Sequence, residues 1–184
     1  MMHARLLLLS IALATTLQSL SANSFFPDQT TVDEKNFHKL GEYRYTWRVF
    51  FNLYEAALFV PEGKTDEDVL AAKAPFHLKF NYLREIDKDI ILESADKMLD
   101  RNLSDSERAQ IAERVAQINE VYTTVKRGDR SSLTYTPGEG TTLRINGEPK
   151  ITIEGEDFAQ LYFRIWLGPE AISASLRDNL LGRA

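Results

Sequence analysis

Tyr43-Arg44-Tyr45-Thr46-Trp47-Arg48-Val49-Phe50-Phe51-Asn52-Leu53-Tyr54 is the stretch that decides the class of this fold, because its residues alternate with a period of two. Tyr43, Tyr45, Trp47, Val49, Phe51 and Leu53 fall on one side, against Arg44, Thr46, Arg48, Phe50, Asn52 and Tyr54 on the other. A helix brings together residues three and four apart, whereas a strand brings together residues two apart, so the pattern specifies extended chain with one apolar face. The stretch outruns the usual strand of about 5–6 residues, and a bend or bulge is expected near Thr46 to Val49. On an unbroken alternation, Arg44 and Tyr54 share a face.

Downstream, Thr65 caps a short helix whose first turn is the acidic Asp66-Glu67-Asp68. Pro75 opens a second strand, with Phe76, Leu78, Phe80 and Tyr82 on one face and Arg84 at its end. Two amphipathic helices follow. Ile91, Ala95 and Met98 mark the first, and Ile111, Val115, Ile118 and Tyr122 mark the second. Ser104 and Glu107 between them form a capping box, which explains Asn102-Leu103-Ser104 better than a glycosylation signal does. Strands return at 132–136 and 141–145, and Asn146-Gly147 supplies the tight turn into 151–153. A helix carrying Phe158, Leu161, Tyr162, Ile165 and Trp166 ends at Gly168-Pro169, and a last one carries Leu176 and Leu180. Antiparallel strands with helices grouped on one side make an α+β domain.

Upstream, residues 23–39 contain Pro27 and no sustained period, and read as an irregular lead-in before a domain over 40–184. Residues 1–22 have the three parts of a secretory signal peptide: a start containing Arg5, the apolar stretch Leu6 to Leu17, and small or polar residues to Ala22. That stretch is shorter than the roughly 20 apolar residues of a membrane span. The expectation is an exported protein, periplasmic or secreted, with no stable membrane insertion once the leader is cleaved between about Ser21 and Phe25. About 160 residues remain, enough for one self-sufficient core without disulfides, and the chain has no cysteine. Arg5 is the leader's one charged side chain, so cleavage makes the net charge of −5 one unit more negative. That balance argues against nucleic acid, which attracts basic surfaces. Phosphate-binding glycine loops, nucleophile elbows and metal-spaced histidines are all missing, so no cofactor or metal is expected. His38 and His77 read as ordinary solvent-facing residues.

Leu40-Gly41, Tyr54-Glu55-Ala56-Ala57-Leu58-Phe59, Tyr82-Leu83-Arg84, Gly128-Asp129, Pro137-Gly138, Ile145-Asn146-Gly147, Phe163-Arg164-Ile165-Trp166-Leu167-Gly168 and Leu180-Leu181-Gly182 occur in an order that resembles exported bacterial chalcone isomerase-like proteins. The resemblance implies an open-faced β-sandwich: a large antiparallel sheet, a layer of helices and a ligand cleft between them. It also implies site positions. Arg44 falls at the arginine of the catalytic members, Tyr54 at their threonine, Ile91 at their tyrosine and Met98 at their asparagine. Isoleucine and methionine cannot donate the hydrogen bonds that a developing oxyanion needs.

Three classes of function follow from the resemblance. The first is a non-catalytic binder of a small hydrophobic acid such as a fatty acid, with Arg44, Tyr54 and Arg84 as ligand-binding residues and Ile91 and Met98 lining the cleft. The second is an accessory protein without a small ligand. The third is an intramolecular lyase of chalcone isomerase type. Read without the resemblance, Arg44 is a cross-strand partner at the surface, Tyr54 a core tyrosine and Arg84 an exposed strand end. Phe163 and Trp166 read as core.

Overall fold

The structure is a computed structural model that describes residues 24–48 and 50–184. The proposed signal peptide lies outside the described residues. Seven strands form one antiparallel sheet in which every strand pairs with its neighbours in sequence. They are β1 (Gln29–Val32), β2 (Lys35–Trp47), β3 (Phe51–Val60), β4 (Phe76–Tyr82), β5 (Arg130–Thr136), β6 (Gly140–Ile145) and β7 (Glu148–Ile153). The helices are α1 (Asp66–Leu70), α2 (Lys88–Asn102), α3 (Asp105–Val121), α4 (Glu156–Tyr162), α5 (Arg164–Leu167) and α6 (Ala174–Leu180).

The deciding stretch is strand on both sides, as its alternation requires, but the chain reverses within it. Arg48, with a left-handed φ of 48°, sits in a turn that folds β3 back along β2. Facing residues of an antiparallel pair share a side, so Tyr45 stands with its partner Tyr54, and Arg44 stands with Glu55 on the opposite side. The expectation that Arg44 and Tyr54 share a face is therefore corrected by the reversal. A bulge adds to the effect: Leu53 is left over between the Tyr45–Tyr54 and Thr46–Asn52 pairs, and both Leu53 and Tyr54 pack toward the helices.

Within 23–39, expected to be irregular, the structure has β1 and the start of β2, joined by a two-residue turn at Asp33-Glu34 with φ of 47° and 63°. Short β1 gave too little sequence for a period to emerge. This hairpin bends over the sheet, for Arg144 on β6 pairs with Asp33 at 2.6 Å. Flat, β2 and β6 would be four strand spacings, about 19 Å, apart. The sheet is therefore curled into a half-barrel.

Both faces of β3 are covered. On the helix side Ala56, Leu58, Leu78, Leu133 and Leu143 meet Leu99, Ile111, Ile118 and Phe158, all with almost no exposure. Inside the curl, Phe26, Phe37, Ala57 and Phe59 form a smaller cluster. His77 belongs to that side and is buried, with Nδ1 2.8 Å from the Thr134 hydroxyl, not solvent-facing as expected. The two helix starts read from sequence have complete capping boxes, Thr65 with Asp68 and Ser104 with Glu107. Asn102 is occupied in joining α2 to the segment after α5, through Glu170. The late helix is broken at Phe163 into α4 and α5. Helix α6 closes against β2 at Gly41, where a Cβ would run into the Asn179 and Leu180 carbonyl oxygens.

Candidate functional site

Between the sheet and helices α2 and α5 lies a narrow slot of about 100 Å³. The sheet contributes aromatic rings, because Tyr45, Tyr54, Phe80 and Tyr82 fall on the helix-facing parity of adjacent strands. Tyr54 is central to them, its ring centroid 5.2 Å from that of Tyr45 and 5.4 Å from that of Phe80. Helix α2 presents Ile91, Ser94 and Ala95, spaced to lie on one side, and α5 presents Ile165 and Trp166. The slot opens into an outer groove of about 610 Å³, with which it shares Tyr45, Leu53, Ile86, Ile90, Ser94 and Ile172. Together they reach the size range of small-molecule sites.

Every polar side chain lining the slot is neutral: tyrosine and serine hydroxyls and the indole N–H of Trp166. Tyr82 and Ser131 bond one another at 2.9 Å, Tyr122 and Tyr162 lie side by side, and the buried Tyr54 hydroxyl has no partner among the described residues. Burial first, and then the neighbouring Tyr45 and Tyr82, push the Tyr54 phenol well above its ordinary value. Burial likewise pushes Tyr82 and Tyr162 up to about 12, against the opposing hydrogen bonds from Ser131 and Tyr122. These phenols stay protonated at neutral pH, so they can donate and accept hydrogen bonds but cannot serve as bases.

Charge appears only at the mouth. Arg84 is exposed there, its Nε donating to the Asn52 carbonyl at 3.2 Å and its guanidinium 5.0 Å from the Phe51 ring centre. Lys97 also borders the groove, paired with Glu93 at 2.6 Å. Around this mouth stand exposed apolar side chains: Trp47 at 46%, Phe51 at 42% and Ile90 at 57% exposure, with Phe50 at 84% in the nearby hairpin turn.

Of the site residues expected from sequence, the cleft brings together Tyr54 and Ile91, with Arg84 at its entrance. Met98 is buried in the core and is not in the lining. Arg44 is on the far face of the sheet, its Nη2 2.6 Å and its Nε 3.1 Å from Glu55 Oε1 and its guanidinium 4.3 Å from the Phe25 ring centre. The cross-strand reading of Arg44 describes this contact. Phe163 is core, whereas Trp166, also expected in the core, is half-buried and forms part of the slot wall. Sequence reasoning missed Tyr45, Tyr82, Tyr122 and Tyr162. Their signal was present, since each is a tyrosine on an otherwise apolar face and so carries a hydroxyl into the interior.

The sequence model of a family described as chalcone isomerase-like matches residues 20–182. The crystal structure of a fatty-acid binding protein from Arabidopsis thaliana superposes with a TM-score of 0.63 at 12% identity, covering 85% of this chain and 91% of that one. At that identity the likeness is one of fold. No curated protein matches the sequence.

Proposed function

Because this chain belongs to the chalcone isomerase-like family, we propose that it is a non-catalytic binder of a small hydrophobic acid such as a fatty acid, held tail-first. The observation that carries this reading is the distribution of charge: an aromatic and aliphatic slot with only neutral groups inside, and charged side chains confined to its mouth, where Arg84 and Lys97 stand among Glu85, Asp87 and Glu93. A carboxylate pushed into the slot would lose its hydration without gaining a cation, whereas an alkyl tail has nothing to lose there. The head group then rests by Arg84, which forms no salt bridge among the described residues, whereas Lys97 is paired with Glu93, and Arg44 takes no part. The fatty-acid binding protein with the same fold supports a lipid-like occupant. The non-catalytic reading is supported by the protonated phenols and by Ile91, none of which can act as a base or carry a positive charge at neutral pH.

Titration of a long-chain carboxylic acid and of the matching alcohol into the protein tests the proposal. Both ligands bind, the acid more tightly, and Arg84→Ala removes the acid's advantage, about two- to fivefold for so exposed a charge. Ala95→Phe, which fills the slot, abolishes binding of both while the circular dichroism spectrum stays that of the folded protein. Unchanged affinity in folded Ala95→Phe would overturn the cleft reading. A protein purified with an empty cleft and a stable protein partner would favour the accessory class, for which the exposed Trp47, Phe50 and Phe51 are the motivating feature. Export is part of the same proposal. N-terminal sequencing of protein recovered outside the cytoplasm should start between about Ser21 and Phe25, and recovery of intact Met1 in soluble cytoplasmic protein would refute it.

A further inference from the structure

Inside the curl of the sheet, remote from the cleft, lies a second cavity of about 580 Å³ with quite different walls. The register of the sheet builds it. Lys79 on β4 faces Ser132 on β5, and Ser132 faces Arg144 on β6, so the three stand in one row across adjacent strands. Arg130 stands two residues along from Ser132, diagonal to Lys79, and all four line the cavity. Lys79 and Arg130 form no salt bridge among the described residues, and the Ser132 hydroxyl has no hydrogen-bond partner among them. Two cations this close raise one another's energy, and Lys79 is held below its ordinary pKa first by burial and then by Arg130.

One carboxylate does reach in. Asp33, at the tip of the β1–β2 turn, pairs with Arg144 from above while remaining largely exposed itself. Its partner also touches the Thr134 hydroxyl at 3.4 Å. Asp129, between Gly128 and Arg130 in sequence, is committed to the Lys126 backbone N–H at 2.7 Å and the Asn146 amide at 3.1 Å. His77 is neutral, its imidazole lowered to about 4 by burial first and then by Lys79 and Arg144, so it contributes no charge. Three cations against the single inserted carboxylate leave two positive charges unmatched.

We propose that this cavity is a binding site for a small dianionic oxyanion of the phosphate class, bracketed by Lys79, Arg130 and Arg144 with Ser132 donating between them. Asp33 occupies part of the site as an internal competitor, so an incoming dianion takes Arg144 from it. Cations on three neighbouring strands can meet several oxygens of one tetrahedral group, which a carboxylate on a hairpin tip cannot do alone. The site rests on no assumption about the cleft.

The test is calorimetric titration at constant ionic strength with inorganic phosphate and, separately, with glycerol phosphate, up to about 10 mM. Saturable binding of either probe is expected. Equal affinities assign the recognition to the anion alone, and preference for the ester assigns part of the cavity to the organic portion. The double substitution Lys79→Met/Arg130→Gln weakens binding at least about tenfold, and Asp33→Asn strengthens it severalfold. Arg130→Gln alone, at an exposed position, weakens binding in a protein whose folding is not in question. Fatty-acid affinity at the cleft is the same in all variants. Absence of saturable binding to both probes, or equal affinity in wild type, the double variant and Arg130→Gln, overturns the site.

Discussion

Arg44 and His77 show how burial of a single residue sets its role. Glu55 is only 12% exposed at its side chain and relies on Arg44, itself 41% exposed, to offset its charge. Removing the arginine strands a carboxylate that cannot regain full hydration, which costs about 1–3 kcal/mol. Arg44→Ala should therefore lower stability in urea denaturation by that order while fatty-acid affinity is unchanged, and Arg44→Ala/Glu55→Gln should recover much of the loss. A tenfold loss of affinity in folded Arg44→Ala would put Arg44 back into ligand binding. His77 sets a pH dependence. Its folded-state pKa of about 4 lies below its unfolded value of 6.5, so the unfolded chain takes up a proton first as pH falls. The neutral, buried histidine costs no stability above pH 6.5; stability then declines between about 6.5 and 4, by up to roughly 3 kcal/mol. Denaturation midpoints at pH 7.5 and 4.5 for wild type and His77→Gln measure the term, since depressed carboxylates such as Asp157 act alike in both proteins. Parallel pH profiles would show that His77 does not carry it.

At the scale of elements, Gly41 is the position where one added methyl does most harm. It lies beside the β2 bulge, and α6 packs its Asn179 and Leu180 carbonyls directly onto the space that a side chain would fill. Backbone cannot step aside as a flexible side chain can, so Gly41→Ala should cost at least about 2–3 kcal/mol and loosen α6. Chemical denaturation gives the first number, and hydrogen exchange in 174–180 reports the second. Wild-type stability in this variant would mean that the α6 packing is not tight. The elements themselves were largely legible: the cap at Thr65, the capping box at Ser104, the Asn146-Gly147 turn and the parity of Phe76 to Tyr82 all depend on neighbours in sequence. The reversal at Arg48 was not legible, because a hairpin without a Gly or Asn signal and a long bent strand share one alternation. That one ambiguity moved Arg44 from the cleft to the far face. The same turn, with the bulge at Leu53, brought Tyr54 to the helix side beside Tyr45, and Ile91 lies in the slot because its helix turns that face to the sheet.

For the whole molecule, the order of the sheet matters as much as its shape. All its ladders join strands adjacent in sequence, so β1 to β7 can pair one after another as the chain lengthens. The cover over β2 at Gly41 is different, because it is supplied by α6 near the other end of the chain. During synthesis at about 5–20 residues per second, roughly 140 residues and on the order of ten seconds separate the appearance of Gly41 from that of its cover. For that interval the α6-facing side of β2 is open to solvent and to other chains. Docking of α6 after the sheet makes a test: destabilisation by Gly41→Ala should then appear in the unfolding limb of the chevron and leave the folding limb nearly in place. Such a result would make α6 a latch on β2, whose release rather than the strength of the sheet sets how long the molecule stays folded.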